Sequence, residues 1–387
     1  MSLRSTTSSS RSVPQEKADG SRLLLARVRA GLTRRELADA VGVAVSTVRT
    51  WEAEDVPAGR LDALAAATGV LRMFLELDEP DAVEQAEVHF RSRRTASASS
   101  RAAAAGDGTV GIEFYRALAA RLALPAVDLP THSAAVEPEE AARILRSAWT
   151  LGPGPLPNLV QLAEAHGVRV MGLEGRSSDV DAFSLWRDGL PYVFLSRLKT
   201  PERSRFDLAH ELGHLVLHPH EPYPTVESEQ QADAFASEFL LPAATLRSEG
   251  AITAGLDTII DGKRRWGVSA MAYVSGLRRA GVVGESSATS MFRELSARGY
   301  RRSEPDSSVP WPRSRVFDAA REILGPSIVS ELSSATGLSP EDINTLTFGQ
   351  LLTVARPAGG PSAPGPGPGP TGGGPAMSGL RLVSGRA

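Results

Sequence analysis

The 387-residue sequence contains no cysteine. Disulfides, thiol catalysis and thiolate metal sites are excluded together, and the composition suits a reducing cytoplasm, the compartment expected here. Charge of one sign is also missing. Lys and Arg number 42 against 45 Asp and Glu, so any nucleic-acid binding must come from a local basic surface. No apolar run approaches the roughly 18 residues needed to span a bilayer. The opening MSLRSTTSSSRSVPQEKADG lacks the apolar core of a secretory signal. No membrane partner is expected, and no internal repeat is visible.

What is present divides the chain by composition. Residues 1–20 are Ser-rich and polar, expected as a disordered arm, and 21–77 carry a dense helical pattern. Residues 78–106 are expected as a linker, within which 87–106 lose apolar periodicity and hold Arg91, Arg93, Arg94 and Arg101, as a basic connection would. A larger domain is expected over 107–285. Within it NLVQLAEAHGVRVMGL reads as helix, Gly167 stop and strand, and AFSLWRDGLPYVFLS as two strands joined at Asp188-Gly189. Further helices occupy 286–355, and the Pro/Gly tail of 356–387 cannot bury a core.

Two of the seven histidines stand four apart in RFDLAHELGHLVLH, residues 205–218. On a helix, His210 and His214 project from one face, at the spacing that offers two nitrogens to one tetrahedral zinc. Glu211 lies about 100° around, placed to act as a general base toward water at the metal without being a ligand. Leu208, Leu212, Leu215 and Val216 fill the other faces, so the polar set is expected to be buried, at high cost without a metal. The competing explanation is a chance match on a core helix.

Zinc needs a third protein ligand. His220 has the spacing from His214 of the extended all-histidine motif, but Leu217 stands where that motif requires glycine, and Pro219 interrupts the approach. His218 and His220 both read as solvated loop residues. Glu229 is the stronger choice. In EQQADAF it precedes Asp233 by four residues, so the two carboxylates share a helix face. One can ligate the metal while the other accepts the outer N–H of a ligand histidine. Glu227 is the neighbouring alternative, and Glu238 falls too far along the helix.

These motifs resemble the ImmA/IrrE-type metallopeptidases in order and spacing. The likeness runs from about residue 140 to 285, through VDAFSLW, PYVFLSRLKTPERSRFDLAHELGHLVLH and EQQADAFASEFLLP, with NLVQLAEAHGVRV and RRWGVSAMAYVSGL. It implies a zincin-like domain with metal ligands His210, His214 and Glu229, and Glu211 as catalytic base. One departure stands out. Members carry an arginine ahead of the leucine after WGVS, and here Gly276 precedes Leu277.

Upstream, LTRRELADAVGVAVSTVRTWEAE (32–54) reads as helix Thr33–Ala40, a turn at Gly42, and a second helix to about Glu52. Thr33 with Glu36 forms a capping box, and Leu37, Val41, Val48 and Trp51 supply the buried face. Residues 22–51 hold six arginines against two acids, an excess suited to phosphates. The stretch resembles the repressor-like XRE helix-turn-helix over roughly 21–75. Arg34, Val45, Ser46, Thr47, Arg49 and Thr50 are the residues expected to face a DNA operator. Ala44 stands where members place a Ser or Thr N-cap, and Arg34 where they place glutamine. FRSRRTASASSRAAA likewise resembles chains that fuse the two domains.

The fold expected is therefore α+β and mostly helical. An N-terminal all-α helix-turn-helix domain precedes a zincin-like metallopeptidase domain with a small sheet and C-terminal helices. The function expected is a DNA-binding regulator with a zinc endopeptidase that cleaves a repressor or other protein substrate. The alternative is a transcription factor whose peptidase fold senses a ligand without cutting. A homodimer on paired half-sites is expected, with MFRELSARGY and VFDAAREILG as pairing surfaces unless they serve the chain's own core.

Overall fold

A computed structural model describes residues 17–85, 88–92, 97–132, 136–173, 179–219, 225–249, 255–301, 303–305, 307, 309–311, 313–351 and 381–382. The chain forms two compact units, Met1–Asp81 and Ala82–Ala387.

In the first unit, β1 (Lys17–Asp19) leads into α1 (Gly20–Arg29), α2 (Arg34–Val41) and α3 (Val45–Ala53). Then come β2 (Asp55–Pro57), antiparallel to β1, and α4 (Leu61–Thr68) and α5 (Arg72–Leu75). Residues 17–19, expected in a free arm, are instead a strand. Asp19 ends that ladder and caps α1 by accepting from the Ser21 amide at 2.7 Å. The remainder of the arm, 1–16, lies outside the described residues. Thr33 and Glu36 form the reciprocal capping box, and Gly42 ends α2 at φ 67°, left-handed backbone that glycine adopts without a Cβ clash. Ala44 gives α3 no side-chain cap. Leu37, Val48 and Trp51 are buried, while Val41 is only half-buried.

The second unit is built on a four-stranded sheet, ordered β3 (His89–Ser92), β6 (Val180–Arg187), β7 (Leu190–Leu195), β5 (Arg169–Gly172). Only β5 runs parallel to its neighbour. Asp188 and Gly189 join β6 to β7 with φ of 52° and 71°, the paired left-handed residues of a tight hairpin. Strand alternation sends successive side chains of β6 to opposite faces. Phe183 stacks on Phe194 at 4.4 Å, against Gly108 and Gly111 of α6 (Ala98–Ala119). Ser184 and Trp186 point the other way, to α9 (Pro201–Leu217). The expected 78–106 connection is thus largely part of this unit, because its backbone adds the edge strand and begins α6.

The remaining elements are β4 (Leu122–Ala123), α7 (Pro138–Ala148), α8 (Leu159–Ala165), α10 (Val226–Leu240), α11 (Ala243–Ser248), α12 (Leu256–Trp266), α13 (Ala270–Arg279), α14 (Glu285–Ala297), α15 (Arg315–Leu324), α16 (Ile328–Thr336), α17 (Pro340–Leu346) and β8 (Arg381–Leu382). β8, within the expected Pro/Gly tail, pairs with β4; residues 352–380 and 383–387 lie outside the described residues. The helices of 286–355 are not a separate layer. Phe317 of α15 packs edge-on to Phe114 of α6, and Met291, Leu295, Val316 and Ala320 are buried. The apolar faces expected for pairing are core. Among the described residues, no helix is long and apolar enough to cross a membrane.

Candidate metal centre

α9 begins with Pro201 at its first turn and α10 with a capping box from Thr225 to Ser228. The helices meet at Gly213, where a Cβ would stand 3.1 Å from the Phe235 ring and 3.2 Å from the Ala232 Cα. Glycine at this one position lets α10 lie against the turn that holds both histidines.

That approach brings three donor atoms together. Nε2 of His210 and Nε2 of His214 are 3.0 Å apart, and they lie 3.5 and 3.2 Å from Glu229 Oε2 and Oε1. Both histidines are fully buried, whereas Glu229 is about a third exposed. The outer nitrogens fix what these atoms offer. His210 Nδ1 is 2.9 Å from Asp233 Oδ1 and donates to it. His218 Nε2 donates to Gln231 Oε1 at 2.6 Å, so its Nδ1 is left to accept from His214 Nδ1 at 3.3 Å. Both ligand rings therefore turn an Nε2 lone pair toward the same point as a carboxylate. Three donor atoms this close make a candidate metal site. Zinc bonds of about 2.0–2.1 Å at tetrahedral angles give donor separations near 3.3 Å, in line with the three distances seen. Burial resists ionisation of Glu229, but the nearness of the two histidine rings outweighs it and holds the carboxyl well below the usual carboxylate range.

Glu211 is also fully buried, on the sheet side of α9, where Ser184 Oγ donates to its Oε2 at 2.6 Å. It is not among the three convergent donors. Beside Asp233 a cleft of about 530 Å³ extends past Arg203, Phe206 and Met271.

Other sequence choices are placed differently. His218, expected in solvent, is buried, because the end of α9 folds it under α10 beside Gln231. Glu227 is exposed outside the cluster, and Glu238 is buried elsewhere, accepting from the Ala243 amide. His220 lies outside the described residues. At Gly276 a Cβ would meet Leu241 Cδ1 at 2.7 Å, so an arginine there would require Leu241 to shift. His218 was read from sequence as a solvated loop residue, and Gln231 and Ser184 were not singled out. The fourfold repeat 210, 214, 218 was the available signal for His218, and a lone strand serine offered none for Ser184.

In the first unit Val45, Ser46, Arg49 and Thr50 are exposed on one side of α3, with Thr47 half-buried. Arg34 is partly engaged: its Nε lies 2.6 Å from Glu52 Oε2, and Glu52 also bonds Arg27.

Residues 163–277 match the peptidase M78 family, described as the IrrE N-terminal-like domain, and residues 23–71 match the helix-turn-helix family. One chain carries both. The first match marks a metallopeptidase-like domain of a metal-dependent family, and the second a DNA-binding regulator. No curated protein matches the chain. The IrrE-like match spans α9, α10 and the whole convergent donor set.

Proposed function

We propose that the chain is a DNA-binding transcriptional regulator whose second unit is a zinc-dependent endopeptidase that cuts a repressor or other partner protein to switch gene expression. The observation that carries this reading is the convergence of His210, His214 and Glu229 on one point, with a carboxylate outside that set, Glu211, adjoining His210 on the same helix. Zinc, when bound there, supplies Lewis acidity toward a peptide carbonyl and acidifies water. Glu211 takes the proton of the attacking water and passes it to the leaving amine. Ser184 holds that carboxylate in place, while Asp233 and the His218–Gln231 pair fix the ligand rings. The cleft past Phe206 and Met271 suits an extended, partly apolar peptide.

On the DNA side, α3 enters the major groove with Val45, Ser46, Thr47, Arg49 and Thr50, and Arg34 contributes through the guanidinium nitrogens that Glu52 leaves over. With the apolar faces of α14 and α15 buried, a homodimer rests on the geometry of paired half-sites alone.

A second reading, a sensor that does not cut, is favoured by a cavity on the far side of α9 from the histidines. The two separate in cells carrying Glu211→Gln, scored for new protein N-termini and for expression of the regulated genes. Loss of both against a metal-replete variant supports the peptidase. Normal switching by Glu211→Gln leaves the sensor.

A further inference from the structure

α9 also lines a second cavity. Pro201, Ser204, Arg205 and Leu208, at i, i+3, i+4 and i+7, line one wall of a cavity of about 220 Å³. At 100° per residue this face points roughly opposite to His210 and His214, so the cavity is not the metal centre or its cleft. Leu156, Leu195 and Trp266 give much of the remaining wall an apolar surface, with Arg264 and Arg265 at its edge.

Within that apolar wall sit three hydrogen-bond donors that find no acceptor among the described residues: Ser204 Oγ, Arg205 Nε and Trp266 Nε1. Ser204 is 2 % exposed and Trp266 1 %. Arg205 spends its other nitrogens on the carbonyls of Leu156 and Pro157, at 2.6 and 2.5 Å, which do not neutralise its charge. It forms no ion pair among the described residues. The two other arginines lining the cavity do: Arg264 meets Asp261 at 3.0 Å and Arg265 meets Glu249 at 2.9 Å. Beside Arg205 Nε the chain places Gly267, where a Cβ would stand 3.6 Å from that nitrogen. Glycine leaves the space beside the donor open.

A set of unpaired donors, one of them cationic, beside apolar side chains selects for an anionic head on an apolar body. A cavity of about 150 Å³ holds benzene, so this one takes an aryl or short branched group with its head. We propose that this cavity binds a small organic monocarboxylate, its carboxylate held by Ser204, Arg205 and Trp266 and its body against Leu156, Leu195 and Leu208. The site shares α9 with the metal centre, so occupancy is felt by the helix that carries the ligands. The proposal does not depend on proteolysis.

The test is calorimetric titration of the full chain with benzoate, and with benzamide as its neutral counterpart. Benzoate is expected to bind at one per chain and benzamide at least about tenfold more weakly. Arg205→Met, which keeps the apolar stem, brings benzoate down to the benzamide level; Ser204→Ala, a change small enough to leave the fold intact, weakens benzoate by roughly threefold to tenfold. Three results would each overturn the assignment. They are absence of benzoate binding at about 10 mM, equal binding of the two probes, and binding untouched by Ser204→Ala but lost in His210→Ala, which puts the anion on the histidine site.

Discussion

Ser184 of β6 donates to the buried carboxylate of Glu211 at 2.6 Å, crossing from the sheet to the helix that carries both histidines. The contact fixes the acid that follows His210 on the helix and stays outside the donor cluster. Removing the hydroxyl deprives a fully buried carboxylate of a donor, which costs about 1–3 kcal/mol. Ser184→Ala should lower stability by that amount in urea denaturation while metal content stays unchanged. An unaltered midpoint would mean that the hydroxyl does not anchor Glu211.

Purified protein should contain about one zinc per chain, because three convergent lone pairs complete a site with one open position. His210→Ala, His214→Ala and Glu229→Ala should each lose the metal and melt at lower temperature, since a metal held by the folded state alone stabilises it. Retention of full zinc by Glu229→Ala, measured by elemental analysis, would remove Glu229 from the ligand set.

His218 meets the cluster through His214 Nδ1 and lies outside the three convergent donors, so it is expected to position a ring and not to bind metal. His218→Ala should weaken zinc affinity about 10- to 100-fold in a competition titration with a chromogenic chelator, without abolishing binding. Gln231→Leu should do the same to a lesser degree, because it releases the far end of the same hydrogen-bond chain.

Stability should fall as pH rises through neutrality, and Glu164 is the cause. Burial pushes its carboxyl from an ordinary 4.5 up to about 8, against hydrogen bonds from Ser314 and the amides of Arg315 and Val316. Between those values the native chain holds a proton that the unfolded chain has released. The associated stability is complete below about pH 4.5 and is lost as pH climbs to about 8. Glu164→Gln keeps an oxygen for the Arg315 amide but cannot ionise, so its stability curve should lack this decline, a difference of a few kcal/mol by pH 9. Parallel curves from chemical denaturation between pH 5 and 9 would show that Glu164 titrates normally.

Arg49 is exposed on α3 and free to enter a groove, while Arg34 is held by Glu52. Arg49→Ala should weaken binding of the full chain to its own promoter DNA by about 1–3 kcal/mol if it reads a guanine, with no change in melting temperature. Arg34→Ala should cost less and leave base preference alone. Fluorescence anisotropy with specific and scrambled duplexes measures both, and equal losses on the two duplexes would assign Arg49 to phosphate.

Much of this protein was legible one residue at a time. The capping box at Thr33 and Glu36, the Asp188-Gly189 hairpin and the four-residue spacings of His210 with His214 and of Glu229 with Asp233 depend on local backbone periodicity, which a sequence states directly. What spacing cannot state is which helix faces which. Only the close packing of α10 at Gly213 brings Glu229 within 3.5 Å of the histidines, and only the alternation of β6 aims Ser184 at Glu211. His218 looked like a loop residue because nothing local records that α10 covers it, and α14 and α15 looked like a pairing surface because an apolar stripe is the same whether its partner is another chain or its own. The sequence by itself determined the chemical groups and their order along each helix. The tertiary structure decided their convergence, because that depends on contacts between residues far apart in the chain, which no local period encodes.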